Sequence, residues 1–169
     1  ERRACYVKGA RLQSALGKLA AYEKRSSAPQ ILAEDLGVVP NEVVELRRRF
    51  NLPGMAVLHF GFGGEANNPH HPHAIQSDQV VYTGTHDNNT TRGWWEMLDR
   101  ETKGRVCALL GDDESPHKGL IRMAMESAGR MVVLPLQDVL GLDSTARMNT
   151  PGTHDGNWRW SFAWSDLPG

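Results

Sequence analysis

The sequence predicts an α/β protein built from parallel βαβ units, and three observations carry that prediction. Short apolar runs alternate with segments of helical spacing. The runs are nearly uninterrupted, as strands buried on both faces of a parallel sheet are. Two of them end in acids, at the carboxyl ends of strands where α/β folds bind their ligands. The 169 residues fit one domain, on a prior of roughly 100–200 residues each. Four such strands are only about half of the eight that close a (β/α) barrel. Together with a start at Glu1 rather than methionine, this sets the expectation that residues 1–169 are the carboxyl-terminal part of a larger barrel enzyme whose amino-terminal half is absent.

The elements follow in order. Leu12, Leu16 and Leu19, with Ala15 and Tyr22 beside them, have helical spacing. Gln30-Ile31-Leu32-Ala33 is the first strand and runs into Glu34-Asp35-Leu36-Gly37. Pro40-Asn41 ends it and offers a helix cap, after which Val43, Leu46 and Phe50 recur on one face. Leu52-Pro53-Gly54 breaks that helix, and Met55 to Phe60 is the second strand. A loop from Gly61 to Asp78, rich in Gly, Asn, Pro and His, leads to the third strand, Val80 to Tyr82. Ser115-Pro116 starts a helix whose stripe is Leu120, Ile121, Ala124, Met125 and Ala128, and Gly129 is placed to terminate it. Met131 to Leu134 is the last strand. No repeat of 20–50 residues divides the chain.

Composition narrows the function. With 20 acidic against 19 basic residues, no net field attracts nucleic acid or anionic membrane. No stretch approaches the roughly 20 apolar residues of a membrane span, so the expected setting is cytoplasmic. Cys5 and Cys107 lack metal-type spacing and read as two buried free thiols of a reducing compartment. His70, His71 and His73 alternate with prolines and have few carboxylates nearby, which disfavours a metal site. Trp94, Trp95, Trp158, Trp160 and Trp164 read mainly as core, with stacking on sugar rings as the other use of such flat faces.

Two acidic strand ends are candidates for chemistry, and a shared site is expected for them. Glu34 follows a run too apolar to solvate it well. Burial disfavours the charged carboxylate and would suit it to donate a proton near neutral pH. The plainer alternative is a strand-end acid satisfied by backbone amides or a basic side chain. Asp35 points to the opposite side if the strand continues, so at most one of the two is catalytic and the other is a structural anchor. His86-Asp87, framed by Gly84 and Asn88-Asn89, offers a donor and a charge on a tightly turned backbone, although such pairs are also common in loops. Gly152-Thr153-His154-Asp155 echoes that block but follows turn-forming residues, so His154 and Asp155 read as loop residues.

Four blocks carry a resemblance. Ile31-Leu32-Ala33-Glu34-Asp35-Leu36-Gly37, Leu52-Pro53-Gly54-Met55, Val81 through Thr91, and Arg147-Met148-Asn149-Thr150-Pro151-Gly152-Thr153 stand in the order found in the 4-alpha-glucanotransferases. The chain resembles that family, also called amylomaltases or disproportionating enzymes (glycoside hydrolase family 77), over nearly its whole length. The resemblance implies the fifth through eighth strands of a (β/α)8 TIM barrel. It implies Glu34 as general acid/base, Asp87 as the carboxylate that stabilises the transition state, and His86 and Asn149 as substrate-binding residues. It further implies retaining transfer of α-1,4-glucan segments between maltooligosaccharides or to glucose, with no cofactor, no metal, no nucleic acid and no membrane. The expected compartment is the cytoplasm, or the plastid stroma in a plant.

One departure matters. The family's nucleophilic aspartate lies in a block resembling Arg-x-Asp-His-Phe-Arg, and this sequence contains no such block. A retaining mechanism needs two carboxyl groups about 5–5.5 Å apart, so the chain alone is expected to be inactive. Two other readings stay open: a non-catalytic α-glucan-binding fragment, and a metal-dependent hydrolase built on the histidines.

Overall fold

The computed structural model describes residues 31–110 and 115–167, together with the helical positions Ser14, Ala15, Gly17, Lys18 and Ala21. The chain divides into two compact units, Glu1–Met55 and Ala56–Gly169.

In the first unit, Ala15 is helical and exposed. Leu12, Leu16, Leu19 and Tyr22 of the expected amino-terminal helix lie outside the described residues, as does Gln30. Residues 31–36 carry no strand assignment, which corrects the expected first strand. A strand exists only as one side of a ladder, and among the described residues Ala33 has a single backbone bond, from its N–H to the Pro53 carbonyl at 2.9 Å. Helix α1 spans Asn41–Arg49. Its cap is the extended Pro40 rather than Asn41, and the Pro40 carbonyl accepts from the N–H groups of Val43 and Val44 at 3.0 and 3.3 Å. The buried residue of α1 is Arg47, with Leu46 and Phe50 half-buried and Val43 exposed. An ion pair described below turns that arginine inward, at the expense of the stripe read from the sequence.

Strand β1 (Gly54–Val57) crosses from the first unit into the second, and all four of its residues are buried. It is shorter than the expected run to Phe60, because Leu58–Phe60 tighten into a 3-10 turn closed by Gly61 N–H on the Leu58 carbonyl at 2.8 Å. The sheet has the order β1-β2-β3, with β2 at Gln79–Tyr82 and β3 at Met131–Val133. Strands β2 and β3 run parallel, with Val80 opposite Met131, Val81 opposite Val132 and Tyr82 opposite Val133. Parallel neighbours require a long crossover. Three helices supply it: α2 (Thr91–Met97), α3 (Arg100–Cys107) and α4 (Pro116–Glu126). A short helix, α5 (Leu136–Val139), follows β3.

Local chemistry explains where these helices start. The Thr90 hydroxyl accepts from Gly93 N–H at 3.1 Å to cap α2, and the Asp99 carboxylate accepts from Thr102 N–H at 2.8 Å to cap α3. Pro116 opens α4, where its missing N–H costs no bond. The buried face of α4 is Gly119, Leu120, Met123 and Ala124, so Met125 and Ala128 of the expected stripe are exposed. Helix α4 ends at Glu126, ahead of Gly129. A Cβ at Gly129 would collide with the Val81 side chain, so this glycine serves close approach to β2 rather than helix termination.

The core of the second unit gathers Ala56, Leu58, Phe62, Val81, Val106 and Leu120, with Trp94 and Trp95 packed half-buried against it. Trp158 and Trp164 are exposed, so only part of the tryptophan set is core. Cys107 is a free, exposed thiol rather than a buried one, and Cys5 lies outside the described residues. Met131 and Val133 of β3 are exposed, so the expected cover on both faces is missing at that strand.

Candidate active site

Glu34 belongs to the first unit, and His86, Asp87 and Asn149 belong to the second. Glu34 is exposed, as is Leu32, so the burial expected to make it a proton donor is not present within this chain. Its neighbour is the anchor. Asp35 Oδ2 lies 3.1 Å from Nε of the buried Arg47, and Asp35 Oδ1 accepts from Met55 N–H at 2.7 Å. Arg47 Nη1 also donates to the Leu52 carbonyl at 2.8 Å. Strand entry, helix and acid are thereby tied together, and the adjacent carboxylate is left to solvent.

The second unit brings the other three residues into one constellation. Strand β2 is followed by the buried Thr83 and Gly84, and the chain then turns outward. A Cβ on Gly84 would stand 2.8 Å from Cε1 of His59, which restricts this position to glycine. Asn88 Oδ1 accepts from both the N–H and the hydroxyl of Thr85 at 2.8 Å, bracing the turn. At its tip His86 and Asp87 are exposed, with Nε2 of His86 3.2 Å from Asp87 Oδ1. Asn149 Nδ2 donates to the same Oδ1 at 2.6 Å. Among the described residues Asp87 Oδ2 takes no hydrogen bond. One oxygen fixes the carboxylate's orientation and the other faces outward, an arrangement that can receive hydroxyl groups of a polar ligand.

Arg147 holds the two segments in register. Its Nη2 donates to the Asp87 carbonyl and its Nε to the Asn149 carbonyl, both at 2.8 Å. Sequence reasoning quoted Arg147 as part of a block but gave it no role. Trp158, read from the sequence as core or as a sugar-stacking ring, stands beside His86: its ring centroid lies 5.2 Å from that of His86 at an interplanar angle of 36°. It adopts φ 60°, a left-handed conformation uncommon for a bulky residue, and its N–H donates to the Met148 carbonyl at 2.7 Å. Asn157 braces this loop by accepting from Thr150 N–H at 2.9 Å. His154 and Asp155 are exposed within it, as expected of loop residues.

Below the site lies a buried polar layer. His59 is stacked on Trp94 with centroids 4.5 Å apart, its Nε2 lies 3.0 Å from the Thr91 hydroxyl, and its Nδ1 has no hydrogen-bond partner among the described residues. Burial lowers its pKa from 6.5 to about 3, so it is neutral at physiological pH. The histidines of the long loop serve structure: His70 Nδ1 accepts from Val57 N–H at 3.2 Å, and His71 accepts from His73 N–H at 3.4 Å. Among the described residues no group of three or more His, Cys, Asp or Glu is arranged to hold a metal ion.

Comparison with known proteins agrees with the sequence blocks. A family model described as 4-alpha-glucanotransferase matches residues 3–165. The chloroplastic/amyloplastic 4-alpha-glucanotransferase of Solanum tuberosum is 53% identical over 132 residues, which cover 77% of this chain and 23% of that protein. The 4-alpha-glucanotransferase of Thermus thermophilus is 46% identical over 148 residues, 82% of this chain and 29% of that protein. The structure of amylomaltase from Streptococcus agalactiae in complex with acarbose is similar with a TM-score of 0.81 at 30% identity, covering 90% of this chain and 32% of that one. The chain therefore spans less than a third of the length of these relatives.

Proposed function

The chain belongs to the 4-alpha-glucanotransferase family, and on that premise we propose that it forms strands five through eight of a (β/α)8 catalytic barrel. The intact enzyme transfers α-1,4-glucan segments between maltooligosaccharides or to glucose, with retention of configuration. The observation that carries this reading is the meeting of Asn149, Asp87 and His86 on one carboxylate oxygen, 2.6 and 3.2 Å away. These are the residues that the family blocks assign to the sugar.

In this reading Asp87 Oδ2 accepts from ring hydroxyls of the sugar at the cleavage point. Those bonds strengthen as positive charge develops at the anomeric carbon, and they thereby lower the barrier. His86 and Asn149 hold the carboxylate and contact the same sugar. Glu34 protonates the leaving oxygen, then withdraws the proton from the acceptor's hydroxyl so that the new α-1,4 bond forms. An aspartate outside this sequence attacks the anomeric carbon, so the chain by itself does not turn over glucan. No cofactor is needed, because the chemistry is proton transfer and displacement at carbon.

The proposed partners are starch-type α-1,4-glucans and glucose. The proposed compartment is the cytoplasm or the plastid stroma, the latter supported by the chloroplastic/amyloplastic name of the Solanum tuberosum relative. No described helix is long and apolar enough to cross a membrane.

The test is to give the intact enzyme maltotriose alone. Release of glucose together with longer glucans supports transfer. Binding of maltooligosaccharide with no product favours the non-catalytic glucan-binding alternative.

A further inference from the structure

We propose that Asp138 is a positioning residue that sets the span of the loop carrying His86 and Asp87, without touching the sugar. The proposal rests on the reading of His86 and Asp87 as the site. Asp138 sits on α5 and is 1% exposed. Its Oδ2 accepts from the Thr83 hydroxyl at 2.5 Å, and its Oδ1 accepts from Thr91 N–H at 2.7 Å. Thr83 and Thr91 are themselves fully buried, and they are the residues on either side of the segment 84–90. One carboxylate therefore holds both ends of the loop, one oxygen to each end. Thr91 extends the network through its hydroxyl to His59 Nε2, 3.0 Å away.

The placement is not what stability alone would select. Burying a carboxylate is costly, and a well-packed apolar side chain of similar size is often at least as stable. The carboxylate supplies what an apolar group lacks, two directional bonds that fix where β2 ends relative to where α2 begins. The backbone between them is thereby constrained, and with it the approach of Asp87 to Asn149. None of the contacts of Asp138 reaches His86, Asp87 or Asn149, so it acts only through the two threonines.

The test compares Thr83→Val, Thr83→Ser and Asp138→Leu in the intact enzyme, with kcat and KM for maltotriose disproportionation measured per folded molecule. A crystal structure of each variant supplies the loop geometry. Thr83→Val keeps the shape of the side chain and removes the hydroxyl donor. We expect kcat to fall roughly 10- to 100-fold with little change in KM, in line with a displacement of about 1 Å at the reacting groups. Thr83→Ser, which restores the hydroxyl, should recover most of kcat. Wild-type kcat in folded Thr83→Val, or equal losses in Thr83→Val and Thr83→Ser, would overturn the proposal. Should Thr83→Val not fold, Asp138→Leu, which removes both acceptors, carries the same expectation and the same refutation. Should the wild-type enzyme leave maltotriose unchanged, the functional reading fails instead. The crystallographic arm then decides: loss of the Asn149–Asp87 hydrogen bond in Thr83→Val supports positioning, and its retention overturns it.

Discussion

The Arg47 guanidinium lies 3.1 Å from the Asp35 carboxylate, with both side chains largely removed from solvent. Two acids stand side by side in the sequence, and this pairing separates their duties. Asp35 is committed to Arg47 and to Met55 N–H, whereas Glu34 is exposed. Substitutions at the two positions should therefore have opposite profiles.

Glu34→Gln in the intact enzyme should reduce disproportionation by at least about 100-fold, the usual worth of a positioned proton donor. The denaturation midpoint should not move, because an exposed side chain is exchanged for one of the same shape. Retained glucan transfer would remove Glu34 from the mechanism.

Asp35→Ala should remove the carboxylate that faces Arg47 Nε and accepts from Met55 N–H, and lower the unfolding free energy by about 3 kcal/mol. Urea denaturation of the intact enzyme measures it. A variant as stable as wild type would show that the ion pair contributes only local geometry.

Asp87→Asn should lower kcat by about 100-fold or more, since it removes the charge that opposes the developing cation. Asn149→Ala should have a smaller effect by itself. In the double variant the two losses should fail to add, because Asn149 acts through the Asp87 carboxylate, which its amide holds at 2.6 Å. Additive losses would mean that Asn149 acts independently of Asp87.

His59 makes a prediction about acid. Burial lowers its folded pKa to about 3, below the ordinary 6.5. The unfolded chain takes up a proton that the folded chain refuses, so stability is full above 6.5 and falls as pH descends towards 3. The slope from this one group is about 1.4 kcal/mol per pH unit. His59→Gln should flatten the pH dependence of unfolding free energy over that window by about one proton. An unchanged slope would show that His59 is protonated in the folded protein.

The legible parts of the sequence were those set by local chemistry. Strand β2 followed from Val80 and Val81 bounded by Gly84, and the outward turn to His86 and Asp87 followed from what succeeds them. Pro116 marked the start of α4 for the same reason. Family resemblance assigned both Asp87 and Asn149 to the substrate, but their hydrogen bond, 62 positions apart, was not legible, because no periodicity encodes a contact between two loops. What escaped was decided by tertiary partners. Arg47 reads as the solvent face of an amphipathic helix until Asp35 is placed beside it. Asp138 is one polar letter in the run Leu136 to Leu140, and only the two threonines explain its burial. Met125 fits the apolar period, yet the face chosen by Gly119, Leu120, Met123 and Ala124 turns it outward. Ile31 to Ala33 has the composition of a strand and, among the described residues, no ladder beside it.

The sheet order β1-β2-β3 puts β3 at a margin, with Met131 and Val133 uncovered. Such a margin presents amides and carbonyls that seek a partner, flanked by greasy side chains, which is a template for self-association. A recombinant preparation of these 169 residues alone should therefore clump through this rim. Supplying the rest of the proposed barrel in trans, or placing a lysine at position 133, should keep it dispersed.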